Sequence, residues 1–112
     1  MQIQIDKGSD VVRISLDGEM IGGPDATRLA ETFHELIEDG HKKILMDMEK
    51  VSWMNSSGLG ILIGGLTTLR NAGGDLKLLN LAKKIQDLLR VTKLLGIFEV
   101  YNNEEEAVAS FN

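Results

Sequence analysis

The stretch from Ile44 to Gly60 constrains this chain more than any other. It opens with Ile44-Leu45-Met46-Asp47-Met48, which is nearly all apolar. A short run of that kind suits a strand buried on both faces, as in a parallel sheet covered by helices. It closes on Met54-Asn55-Ser56-Ser57-Gly58-Leu59-Gly60. From Leu59 onward, Leu62, Ile63, Leu66 and Leu69 recur at helical spacing and mark the buried stripe of a long helix. Asn71-Ala72-Gly73-Gly74 stops it.

The flanks repeat this alternation of strand and helix. Ile3 and Ile5 alternate with Gln2 and Gln4, and after the turn at Gly8-Ser9-Asp10, Val12, Ile14 and Leu16 alternate with Val11, Arg13 and Ser15. These two strands read as a hairpin ended by Asp17-Gly18. Gly22-Gly23-Pro24-Asp25 leads into a first helix with Pro24 at its first position. Its inner stripe is Ala26, Leu29, Phe33, Leu36 and Ile37, and Asp39-Gly40 closes it. Leu76, Leu78 and Leu79 predict a strand, and Ile85, Leu88, Leu89 and Thr92 a third helix. Ile97 to Tyr101 predicts a last short strand, and Glu104 to Phe111 a terminal amphipathic helix. The order ββαβαβαβα implies an α/β fold. Its sheet is mixed but mostly parallel, with right-handed crossovers and an antiparallel edge from the hairpin. Residues 1–112 form one domain in this reading.

Composition narrows the function. The formal net charge is −5 and aromatics are 4% of residues, which provides neither a basic footprint for nucleic acid nor a base-stacking platform. No cysteine is present, which excludes disulfides and thiolate metal sites. No apolar run is long enough for a membrane span, and the start lacks the layout of a signal peptide, so a cytoplasmic location is the expectation. No nucleophile–base pair, metal-ligand spacing or phosphate-binding fingerprint stands out, and neither catalysis nor a cofactor is expected.

The junction at Asn55-Ser56-Ser57 offers two readings. Asn and Ser are favoured N-caps, and capping alone accounts for them. The glycines go further. Gly58, Gly60, Gly64 and Gly65 all lie in or beside the second helix. Each costs up to about 1 kcal/mol against alanine in a helix interior. Core packing explains two, and four suggest an outer face kept flat for a partner. A serine at a helix start is also open to a kinase, and the positive helix end tolerates the phosphate. That phosphate adds about −1.5 to −2 charges to a docking face.

Val51 to Gly60 resembles the signature of STAS domains, the family of sulfate transporter and anti-sigma factor antagonist domains. The resemblance extends to the opening hairpin, Gly18-Glu19, Ile44 to Met48, Asn71-Ala72-Gly73-Gly74 and Leu94-Leu95-Gly96-Ile97-Phe98. It implies a sheet with helices mainly on one face. It also implies partner switching. The unmodified protein binds an anti-sigma factor that is a serine kinase, phosphorylation by that kinase releases it, and a phosphatase resets it. The modified serine follows an aspartate at the start of the second helix, and maps to Ser56, with Ser57 second. The implied partner face is Asn55, Ser56, Ser57, Gly58 and Leu59, with Leu59 also a core candidate. Two positions depart from the family pattern. Asn55 stands where the family has aspartate, and the loop Met20-Ile21-Gly22-Gly23-Pro24-Asp25 is one residue longer.

Two alternatives stay open. One is a STAS scaffold or accessory module with a degenerate switch. The other is a small ligand- or nucleotide-binding domain, which predicts a deep apolar pocket where the antagonist predicts a shallow convex surface. The expected oligomeric state is a monomer or weak dimer. His34 and His41 are read as surface residues, Trp53 as filling a core edge, and Glu104-Glu105-Glu106 as a solvated helix start.

Overall fold

The computed structural model describes residues 1–112. Its elements are β1 (Gln2–Asp6), β2 (Val12–Met20), α1 (Pro24–Glu38), β3 (Lys43–Met54), α2 (Ser56–Asn71), β4 (Asp75–Leu79), α3 (Lys83–Val91), β5 (Val100–Tyr101) and α4 (Glu104–Ala109). The five strands form one sheet in the order β1-β2-β3-β4-β5. β1 runs antiparallel to β2, and every other neighbouring pair is parallel. The expected α/β architecture and element order are therefore present.

The strand order explains why the layers are unequal. Each parallel crossover steps to the next strand in the same direction, so crossovers of one hand bring α1, α2 and α3 to the same face. Leu29, Phe33 and Leu36 of α1, Leu59, Leu62, Leu66 and Leu69 of α2, and Ile85 and Leu89 of α3 pack there on Val12, Ile14, Leu16, Ile44, Met46, Leu76 and Leu78. The opposite face is covered only in part. There α4 lays Ala107, with Val108 and Phe111, over Val11, Leu45 and Leu79. β3 is thus buried on both faces at Leu45 but half-open at Asp47, and the expectation of full two-sided burial holds only under α4. Val11, expected to face outward, is buried by the same helix.

Four boundaries differ from the sequence reading. β2 does not stop at Asp17-Gly18 but continues to Met20. Its register against β3 shifts between Ser15 and Asp17 and again between Gly18 and Glu19, so irregular pairing absorbs the apparent turn. β3 runs on through Val51 to Met54 as a single strand. Leu95–Ile97 is a 3₁₀ turn, which leaves β5 only two residues. α4 ends at Ala109, two residues before Phe111.

Lys77 lies on the face under α4 and is 4% exposed. Burying a charge requires partners. Its Nζ donates to the Ser110 carbonyl and to Ser110 Oγ, each at 2.9 Å, and lies 3.4 Å from Glu99 Oε2 and 4.5 Å from the Phe111 ring centroid. One ammonium therefore fastens the chain end to β4. Lys77→Ala is expected to cost about 1–3 kcal/mol in urea unfolding, with the α4 amides losing hydrogen-exchange protection first.

The glycines of α2 divide by face. A Cβ on Gly65 would stand 2.5 Å from the Phe33 ring, so Gly65 lets α1 and α2 approach. A Cβ on Gly64 would meet nothing within 4 Å. Gly64→Ala should therefore gain up to about 1 kcal/mol from helix propensity alone. Gly65→Ala should lose about 1–3 kcal/mol through overpacking. Thermal unfolding of the two variants side by side measures the contrast.

Candidate functional site

Asn55 is the N-cap of α2, in extended backbone conformation. Its Oδ1 accepts the Gly58 N–H at 2.9 Å, which satisfies one of the free donors of the first turn. Its backbone N–H donates to the Met20 carbonyl at 3.3 Å, and its Nδ2 donates to the Ile21 carbonyl at 3.2 Å. The cap is thereby fastened to the end of β2 and to the loop before α1. Gly58 completes the junction. A Cβ there would fall 2.1 Å from the Met20 carbonyl oxygen, so only glycine lets the first turn of α2 come this close to β2.

The loop is shaped to match. Gly22 is buried with φ +89°, a region L side chains rarely adopt. A Cβ on Gly22 would lie 2.7 Å from the Ser57 Cβ. Gly23 is the N-cap of α1, and Pro24 follows at the helix start as expected.

The five residues singled out from sequence separate into two sets. Asn55, Ser56 and Ser57 are exposed, while Gly58 and Leu59 are buried. Leu59 is 7% exposed and belongs to the main core. Ser56 is the first residue of α2, and its hydroxyl has no hydrogen-bond partner in the protein. The first turn of α2 contains no acidic residue, whereas α1 begins with Asp25 and α4 with Glu104, Glu105 and Glu106. The positive end of the α2 dipole is therefore not offset by a neighbouring carboxylate in its own first turn.

Two exposed apolar residues on this end of the sheet were not assigned to the site from sequence. Ile21 is 48% exposed in the β2–α1 loop, and Trp53 is 42% exposed near the end of β3. The reading of Trp53 as a core-edge residue is corrected by the topology. β4 pairs with β3 only as far as Asp47, while β3 continues along β2 to Met54. Trp53 thus lies on a strand end that projects past β4. Its ring has the Lys84 Nζ 6.0 Å from its centroid, at the outer limit of a cation–π contact. An isolated isoleucine between a strand end and two glycines was the available signal for Ile21.

The surface concavities lie elsewhere or skirt this end. Ser56 lines none of them. Ser57 lines one end of an open groove of about 330 Å³ between α1 and α2, floored by Phe33, Ile61 and the small residues Ala26, Ala30, Gly60 and Gly64. A polar cleft of about 260 Å³ lies across the uncovered sheet face between Gln4, Arg13, Asp17 and Asp47, and a larger, shallow one of about 590 Å³ lies beside α4. No group of three or more His, Asp or Glu residues is placed to hold a metal ion. His34 is exposed and His41 half-buried. No helix is long and apolar enough to cross a membrane.

Known proteins are similar to this chain in both sequence and fold. Residues 2–107 match the STAS domain family. The anti-sigma-B factor antagonist of Bacillus subtilis is 28% identical over 108 residues, covering 96% of this chain and 97% of that protein. Its Staphylococcus aureus counterpart is 31% identical over 77 residues, covering 69% of this chain and 71% of that one. Among solved structures, a Thermotoga maritima protein superposes with a TM-score of 0.87 at 23% identity, covering 97% of this chain and 93% of that chain. The phosphorylated form of the Bacillus cell fate determinant SpoIIAA superposes with a TM-score of 0.76 at 25% identity, covering 99% of this chain and all (100%) of that chain. The chain belongs to the STAS domain family.

Proposed function

We propose that this chain is an anti-sigma factor antagonist, a non-catalytic module that docks a serine-kinase anti-sigma factor on the face around the start of α2. Phosphorylation of Ser56 releases the partner, and a phosphatase restores binding. The observation that carries this reading is the setting of Ser56. Its hydroxyl is exposed and unbonded, at the positive end of a 16-residue helix. A kinase can reach it without unfolding the cap. The phosphate then stands among free first-turn N–H groups and costs the folded chain little. It costs the complex more, because about −1.5 to −2 charges must be desolvated under the partner.

The names of the relatives agree with this reading, and so does the shape of the site. The surface at Ser56 is exposed and lines no concavity, which suits docking of a protein partner. The one apolar concavity nearby is an open groove, unlike the deep pocket that a small-ligand domain calls for. A second reading is favoured by Asn55. If the kinase requires aspartate before its serine, the chain is a docking scaffold whose switch is fixed on.

Incubation with ATP and each purified serine-kinase anti-sigma factor of the organism that encodes the chain separates the two. Phosphate on Ser56 by mass spectrometry is expected, with its loss in Ser56→Ala and its persistence in Ser57→Ala. In calorimetry, Ser56→Asp should bind at least about tenfold more weakly than wild type, a difference of about 1.4 kcal/mol. Binding without any modification would favour the scaffold.

A further inference from the structure

Asn55 uses both ends of its amide. The Oδ1 bond to Gly58 caps α2, and the Nδ2 bond to the Ile21 carbonyl reaches another segment, 34 positions away in sequence. The cap itself needs only the oxygen. Asn103 caps α4 in that way, with its Oδ1 accepting the Glu106 N–H at 3.0 Å. Serine, threonine and aspartate also cap, and a carboxylate adds a favourable interaction with the helix dipole. An ionised carboxylate has no proton to give, however. At residue 55 it would keep the Gly58 bond but set a negative oxygen against the Ile21 carbonyl. The amide nitrogen therefore serves the loop rather than the helix.

The loop it serves has one exposed apolar side chain, Ile21. The residues on either side leave Ile21 little freedom. Met20 is fully buried and accepts the Asn55 backbone N–H, and Gly22 is buried against Ser57. Both hydrogen bonds to this segment come from the residue directly before Ser56.

We propose that Asn55 is a positioning residue of the docking face, whose amide locks the β2–α1 loop so that Ile21 is presented to the partner as an apolar contact at a set distance from Ser56. This rests on the reading of that face as the site where an anti-sigma factor docks. The matching contact on the partner is apolar, since Ile21 presents an exposed aliphatic side chain and its carbonyl is already held by Asn55. Asn55 touches no reacting atom and acts through Ile21.

Asn55→Asp tests the lock, because it preserves the cap and the side-chain size. Backbone ¹⁵N relaxation of the isolated protein is the first readout. Near pH 7, Ile21, Gly22 and Gly23 should be as rigid as the helices in wild type and mobile in N55D, with the Gly58 amide unchanged in both. The helix N-terminus and the Gly58 N–H favour the charged form of a carboxyl here, so acidification is carried on until the side-chain ¹³C shift of residue 55 reports protonation. The protonated carboxyl can then donate to Ile21, and the loop of N55D should regain its order. Glu19 of β2, Asp25 of α1, Lys84 of α3 and the terminal amine near Asp25 also belong to elements meeting at this end of the sheet. Wild type carried through the same titration controls for them, and circular dichroism establishes that both proteins stay folded. A loop equally ordered in N55D near pH 7, or one that does not recover on protonation, would overturn the proposal.

The second readout is affinity for the purified serine-kinase anti-sigma factor that wild type binds. N55D and Ile21→Ala should each weaken binding about tenfold, and N55D should add little in the Ile21→Ala background. Independent, multiplying losses would overturn the route through Ile21. Failure of wild type to bind any such factor would refute the docking reading and the partner named here, while the relaxation data would still decide whether the lock exists.

Discussion

The carbonyl of Met20 is the point on which this end of the molecule depends. It terminates β2, accepts the backbone N–H of Asn55, and occupies the space where any side chain at Gly58 would begin. Strand, cap and helix are thereby held within van der Waals contact. A single Cβ at Gly58 would drive α2 off the sheet, and with it the exposed serines that α2 carries. The position of the proposed docking face follows from backbone packing below it. The Ser57 side chain packs against Gly22, while the Ser56 side chain is exposed and its hydroxyl is free of protein hydrogen bonds.

The one-sided layering has a similar logic. Crossovers that always step the same way place three helices on one face and leave the other to polar side chains and a short terminal helix. That helix is too short to be stable alone. It is held by a small apolar cluster and by the buried ammonium of Lys77. The start of α2 and the α4 face therefore draw on separate contacts, and a change in one need not be transmitted to the other.

Much of this was legible in the chain because periodicity reports burial directly. The stripe Leu59, Leu62, Leu66 and Leu69 is buried as its spacing predicts, and the division of the α2 glycines into two for packing and two on an open surface follows the same reasoning. Legibility failed where long-range pairing overrides a local signal. Asp17-Gly18 reads as a turn, yet pairing with β3 carries β2 past it. Ile97 reads as strand, yet it coils into a 3₁₀ turn while Phe98 is buried in the core. Trp53 reads as filling a core edge, and is 42% exposed because β3 outruns β4. At the site, the cap role of Asn55 was readable from its neighbours. Its bond to Ile21 was not, since nothing local connects residues 34 positions apart.

Regulated docking at the start of α2 is the proposal on which the functional reading stands. The most direct test is a hydrogen-exchange footprint of the complex with a purified serine-kinase anti-sigma factor, compared with the free protein. New protection is expected only at residues 19–23 and 53–60, all of it lost when Ser56 carries phosphate. Protection centred on α4 and the uncovered sheet face, or a footprint at α2 that survives phosphorylation, would contradict it.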